Sequence, residues 1–201
     1  MSSPRHEYSV RASRRVYEGT VIAVRRDEVL MPDGDVTVRD VVEHPGAVGI
    51  VALDDQQRLV MVVQYRHPVG ERLWELPAGL LDHPGEPSWV AAARELVEEA
   101  GLRADRWEVL ADALPSPGMT DEATRVYLAR DLHAVEQPAL VHEETEMQLV
   151  WLPLAEAVER VLAGEIRNAM AIIGVLAAAM AAGREFAGLR PHDSPWPDRR
   201  P

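Results

Sequence analysis

Over the first 80 residues, short apolar and β-branched runs are separated by polar, turn-rich stretches, the pattern of successive strands. From Tyr17 to Leu30 and from Val36 to Glu43, β-branched residues dominate on either side of the Met31-Pro-Asp-Gly-Asp35 turn, which predicts a hairpin or small meander. Residues 1–15 are polar and read as loosely ordered. Gly46 to Leu53 and Leu59 to Tyr65 are apolar strands around Asp54-Asp55-Gln56-Gln57, a second hairpin, and Leu73 to Ala78 is a short strand running into Gly79. A helix then starts near Pro87, a residue suited to a first turn, and stops at Gly101, suited to a C-terminal cap. Trp107 to Leu114 and Arg125 to Ala129 read as strands separated by the turn-rich loop Pro115 to Glu122, and Gln148 to Leu152 as another. Pro153 to Leu162 and Glu165 to Ala182 read as helices, the second so apolar on its later turns that it must be buried. The tail from Gly183 is rich in Pro and Arg and reads as irregular. Strands interspersed with a few helices predict a mixed α/β layer fold and exclude an all-helical bundle.

Composition narrows the chemistry more than the fold. At 201 residues the chain suits one domain with an added arm. Its 21 basic against 33 acidic residues give a net charge of −12, which argues against nonspecific nucleic-acid binding. An anionic ligand would therefore need recruited cations or a few focused arginines. Without cysteine, thiolate nucleophiles, zinc ribbons and iron–sulfur clusters are excluded. All the basic residues are Arg, so a P-loop lysine and Schiff-base chemistry are excluded as well. The longest apolar run, Ala169 to Ala182, is shorter than the roughly 20 residues of a membrane span. Residues 1–15 contain no secretory apolar segment, so a cytoplasmic protein with no membrane partner is expected.

The informative segment is Arg94-Glu95-Leu96-Val97-Glu98-Glu99-Ala100-Gly101-Leu102. At about 100° per residue, Glu95, Glu98 and Glu99 share an arc of about 100°, flanked by Ala91 and Ala92. Val90, Ala93, Val97 and Ala100 lie opposite and are the expected core face. Like charges one turn apart repel by a few tenths of a kcal/mol, and only Arg94 is near enough to offset them. A hard divalent cation shared with substrate phosphates would do so; a plain solvated acidic face is the alternative.

Upstream stand Trp74-Glu75-Leu76-Pro77-Ala78-Gly79-Leu80-Leu81 and Gly85-Glu86. With them the pattern becomes Gly79, a spacer, Glu86, seven residues, Arg94-Glu95-Leu96, Glu98-Glu99, Gly101-Leu102, which resembles the Nudix box. The spacer Leu80 to Gly85 is six residues where the family usually has five. The extra residue falls in a loop, where lengthening is thermodynamically cheap. Gln64-Tyr65-Arg66, Leu73 to Gly79, Ser116-Pro117-Gly118, His142-Glu143-Glu144-Thr145-Glu146 and Gly164 to Asn168 together are similar to ADP-ribose pyrophosphatases, particularly the bacterial dimeric kind.

The resemblance implies a Nudix α/β/α sandwich with a mixed sheet over residues 45–183. It also implies an N-terminal antiparallel β arm, residues 1–44, whose strands exchange across a homodimer, while residues 184–201 form the tail. It implies Mg²⁺-dependent hydrolysis of ADP-ribose to AMP and ribose 5-phosphate, with Mn²⁺ as a possible substitute. Glu95 and Glu99 would be the core metal ligands, with Glu98 and the Ala78 carbonyl completing the site, and Arg94 would pair with Glu86. The general base would be Glu144, which would also reach the metal; Glu146 and Glu143 are the alternatives. Arg66 and Arg39 would meet the phosphates or the adenine edge, Arg39 from the partner subunit, and Glu75 the terminal ribose or a metal. A Nudix hydrolase of another nucleotide sugar or dinucleotide and a non-catalytic ADP-ribose-binding module stay open.

Overall fold

A computed structural model describes residues 8–139 and 146–198. The chain divides into two compact units, Met1–Pro45 with Ser116–Glu122, and Gly46–Pro115 with Ala123–Pro201.

In the first unit, β1 (Val10–Glu18), β2 (Ala23–Leu30) and β3 (Val36–Glu43) form an antiparallel sheet in that order. The single run expected from Tyr17 to Leu30 is broken by a turn in which the Gly19 N–H donates to the Ile22 carbonyl at 2.8 Å. Strand β1 lies largely in the stretch read as loose. All nine of its residues are exposed, so no buried face imprints a period on its sequence. Cross-strand polar contacts hold it instead, Ser13 to Asp27 at 2.5 Å and Arg15 to Glu43 at 3.0 Å. Arg25 gathers Asp27, Glu43 and Asp121 within 3.3 Å. Burial works against its charge, but these three carboxylates hold its pKa above the ordinary arginine value.

The second unit holds β4 (Ala47–Ala52), β5 (Arg58–Arg66), β6 (Glu71–Glu75), β7 (Ala78–Leu80), α1 (Ser88–Ala100), β8 (Leu102–Ala113), β9 (Thr124–Ala134), β10 (Gln148–Pro153), α2 (Leu154–Leu162), α3 (Ala169–Ala182) and β11 (Arg190–Pro191). Its main sheet runs β11-β8-β9-β4-β7, mixed because β4 and β9 are parallel. A second sheet runs β10-β5-β6. Side-chain alternation divides the core. Val48, Ile50 and Ala52 on β4, with Tyr127 and Ala129 on β9, pack with Ala91, Ala92 and Leu96 of α1. Val51, Val126 and Leu128 pack instead with Ala171, Val175 and Ala178 of α3. The result is the α/β/α sandwich. Fully burying Leu96 alone contributes about 1.5–3 kcal/mol.

The expected hairpin of β4 and β5 is not formed. Only its tip closes, where Leu53 and Leu59 form an antiparallel bridge and the Asp54 N–H donates to the Arg58 carbonyl at 2.9 Å; beyond it the two strands enter different sheets. All six residues of β4 are buried, and in the sheet it lies between β9 and the edge strand β7 rather than beside its chain neighbour β5. Helix α3 starts four residues later than expected, where the Asn168 side chain accepts from the Ala171 N–H at 3.0 Å and caps the first turn.

Candidate active site on the inward face of α1

Helix α1 ends where Gly101 takes the left-handed conformation, φ 61°, and its N–H returns to the Leu96 and Val97 carbonyls. The helix is turned otherwise than the apolar arc suggests. Its buried residues are Ser88, Ala91, Ala92, Leu96 and Glu99, while Val90, Ala93, Val97 and Ala100 are only partly covered. A wheel ranks arcs by hydrophobicity. Here the two alanines let the helix approach the sheet, and the carboxylates beside them find polar partners there.

Those partners are the main chain of β7. Glu99 is 7% exposed, and its Oε2 accepts from the Ala78 N–H at 2.9 Å. Glu95 lies against Gly79: a Cβ on that glycine would fall 2.1 Å from the Glu95 Cδ. The strand therefore needs a residue without a side chain where the carboxylate approaches it.

Arg94 answers the charge on this face. Its guanidinium reaches Glu86 at 3.3 and 3.4 Å, Glu95 at 2.7 Å and Glu98 at 2.9 Å. The hydrogen bonds to Glu86 lead in raising its pKa beyond the usual arginine range. One cation does not neutralise the cluster. Burial pushes the Glu95 carboxyl up, outweighing Arg94, and the charges of Glu98 and Asp82 act in the same direction. The candidate ligands gathered here are carboxylate oxygens, the kind a hard divalent cation takes. Among the described residues, no three acidic or histidine side chains come together as a group that could hold a metal ion. Two carboxylates with a third beside them suit a cation that completes its shell with water and substrate phosphate, as Mg²⁺ does.

The other expected residues fall in three groups. Glu75, 3% exposed, accepts from Arg66 at 2.7 to 3.1 Å and from Gln64 at 3.1 Å, so these three form one cluster on β5 and β6. Arg39 lies in the first unit, on exposed β3, where it donates to the Val38 carbonyl at 3.0 Å. Glu143 and Glu144 lie outside the described residues; Glu146 is paired with Arg72 at 2.5 Å.

Sequence reasoning missed Gln137. Its amide donates to both the Glu98 and Glu99 carbonyls at 2.9 Å, satisfying the last turn of α1. A glutamine beyond a strand carries no local signal of that role. The pairing of Arg72 with Glu146 was likewise unforeseen, because it joins residues 74 positions apart.

Comparison with known proteins follows the same lines. Residues 43–171 match the NUDIX domain profile. Over 195 residues the chain is 53% identical to a Mycobacterium tuberculosis protein named ADP-ribose pyrophosphatase, spanning 96% of this chain and 93% of that one. It is 35% identical over 163 residues to the methanol dehydrogenase activator of Bacillus methanolicus, covering 81% and 88% of the two chains. A crystal structure described as an ADP compounds hydrolase superposes with a TM-score of 0.76 at 20% identity, covering 91% of this chain and 98% of the other.

Proposed function

The chain belongs to the Nudix family, and from that premise we propose that it is a cytoplasmic, divalent-metal-dependent ADP-ribose pyrophosphatase, releasing AMP and ribose 5-phosphate. The observation that carries the reading is the inward turn of α1, which sets Glu95 and Glu99 against the Ala78–Gly79 main chain. The identity with the M. tuberculosis protein over nearly both whole chains supports the substrate.

Glu95, Glu98, Glu99 and the Ala78 carbonyl would hold Mg²⁺, or Mn²⁺ in its place. When bound, such an ion lowers the pKa of water and masks charge on the pyrophosphate oxygens. Arg94 keeps Glu95 and Glu98 oriented, and through Glu86 ties the helix to the preceding loop. Glu144 takes the proton of the attacking water; the pairing of Glu146 with Arg72 favours Glu144 and Glu143 over Glu146 for that task. Arg66 is anchored by buried Glu75 yet remains 44% exposed, which suits a planar donor fork presented to phosphate. Glu75 orients it and serves the terminal ribose or a metal. Arg39 serves the substrate from a second subunit.

The homodimer belongs to the same reading. Tyr8, Val10, Val16, Tyr17, Val21, Ile22, Val36 and Val38 leave an apolar surface exposed on the first unit, as an arm of residues 1–44 would need for a partner copy.

The test is initial rates with ADP-ribose, other nucleotide sugars, dinucleoside polyphosphates and a flavin dinucleotide, with products separated by chromatography and mass measured by light scattering. Preferred cleavage of ADP-ribose to AMP and ribose 5-phosphate by a dimer is expected. Negligible ADP-ribose turnover, or stoichiometric binding without product in Mg²⁺, overturns the assignment, and a clean monomer overturns the strand exchange.

A further inference from the structure

We propose that the C-terminal segment Leu189 to Trp196 is a strap that positions α1 for metal binding. The inference rests on the reading of Glu95, Glu98 and Glu99 as metal ligands.

Helix α1 has Pro87 at its N-cap, which offers no side-chain acceptor to the first turn. Its first turn is held otherwise. Ser88 is buried, and its hydroxyl lies 2.7 Å from the Tyr127 hydroxyl on β9. Tyr127 in turn donates to the His192 carbonyl at 3.4 Å, so its hydroxyl links Ser88 to the strap. The next helical residue, Trp89, meets the His192 ring edge-on with centroids 4.9 Å apart.

The strap is itself fixed to the main sheet. Arg190 and Pro191 pair with Val109 and Glu108 of β8, and Arg190 bonds Asp112 at 2.6 Å. Arg125 on β9 is 1% exposed. It bonds Asp112 at 2.6 and 3.0 Å, donates to the Ser194 and Pro195 carbonyls at 2.8 and 3.0 Å, and lies over the Trp196 ring at 4.7 Å. A buried guanidinium is costly unless all its donors are used, and here two of its bonds hold the strap's main chain. Burial raises the Asp112 carboxyl, but Arg125 and Arg190 together hold it below the ordinary range.

Between strap and helix lies a recess of about 780 Å³ lined by Glu86, Trp89, His192 and Trp196 among others. The two elements therefore meet through the Ser88 relay and the Trp89–His192 contact rather than by continuous packing, and single substitutions can uncouple them. Glu95 stands about 10 Å along the helix axis from Ser88, so a tilt of the first turn redirects its carboxylate against Gly79. His192 and Tyr127 are thus positioning residues, acting on the ligands through the helix.

The experiment uses the full chain, a chain ending at Gly188, and the variants His192→Ala and Tyr127→Phe. Mn²⁺ affinity is read without substrate from the electron paramagnetic resonance of the free ion. Hydrogen exchange is read at the amides of the first α1 turns. Steady-state rates supply the Mg²⁺ half-saturation and the ADP-ribose KM at saturating metal. A weakening of Mn²⁺ affinity and of Mg²⁺ half-saturation by about 10-fold is expected, the range in which supporting residues act. Faster exchange at the first turn and an unchanged ADP-ribose KM are expected with it, which a general loss of folding would not produce. Should the shortened chain fail to fold, the two point variants decide. Wild-type Mn²⁺ affinity and exchange in both overturn the strap. Failure of the unaltered protein to bind Mn²⁺ overturns the site reading and the strap with it.

Discussion

Gly79→Ala separates the site from the fold. Gly79 does not occupy the left-handed region, so its backbone accepts alanine without strain. The added Cβ would fall 2.1 Å from the Glu95 Cδ, 2.2 Å from Oε1 and 2.3 Å from Cγ. Restoring an ordinary carbon–carbon contact of about 3.5 Å requires that carboxylate to retreat by about 1.4 Å. Cδ and Oε1 are the far end of a flexible side chain and Cγ moves with them by rotation about χ1, so the fold yields by an off-rotamer Glu95, at about 0.5–1.5 kcal/mol. A catalytic group misplaced by about 1 Å costs on the order of 100-fold in rate, or about 2.7 kcal/mol of barrier. The expected variant thus melts close to the parent yet turns over ADP-ribose about 100-fold more slowly at saturating Mg²⁺, measured by AMP release beside a calorimetric melt. Parental turnover in a folded Gly79→Ala protein would refute the view that the close approach of Glu95 to β7 serves the chemistry. An equal loss of stability and activity would place Glu95 in the fold alone.

Other substitutions address neighbouring parts of the same argument. Glu99→Gln retains an oxygen that can accept the Ala78 N–H, so the unfolding free energy read from denaturant curves should change by less than about 1 kcal/mol. Its turnover should fall by more than the roughly 100-fold that a supporting residue costs, and wild-type rates in a folded variant would remove Glu99 from the metal site. Gln137→Ala leaves the Glu98 and Glu99 carbonyls without their 2.9 Å partner. A loss of about 1–2 kcal/mol is expected, a Tm lower by about 2–8 °C, and an unchanged melt would show that the last turn of α1 needs no cap. The raised pKa of Glu95 means that the fold favours its protonated form, first because of burial. The stability it contributes is complete below the ordinary glutamate range and is lost as pH rises through its folded pKa. In metal-free buffer the parent should therefore lose stability relative to Glu95→Gln as pH rises above the ordinary glutamate range, and parallel urea curves would contradict this.

Local chemistry was legible where a single residue type carries it. Pro87 and Gly101 bracket a helix that runs from Ser88 to Ala100, and the Arg94–Glu86 pairing that the Nudix resemblance implied is made. What depends on partners distant in the chain was not legible. The apolar runs of β4 and β5 announce buried strands, but a strand buried on both faces carries no mark of which sheet it joins. The wheel of α1 placed the core on the valine arc, because hydrophobicity does not register the close approach that Ala91 and Ala92 permit. Exposed β1 has no buried face to imprint a period on its sequence. The Pro- and Arg-rich tail showed nothing of Arg125, whose bonds to Ser194 and Pro195 cross about 70 positions.

The central claim is that Glu95 and Glu99, turned inward against Ala78 and Gly79, exist to hold a divalent cation for pyrophosphate hydrolysis. Anomalous scattering from crystals grown with Mn²⁺ and a nonhydrolysable ADP-ribose analogue tests it most directly. The account requires a manganese peak in contact with the Glu95 and Glu99 carboxylates and with a phosphate oxygen of the analogue. Analogue held elsewhere, with no manganese at those carboxylates and Glu95 still bonded only to Arg94, would contradict it.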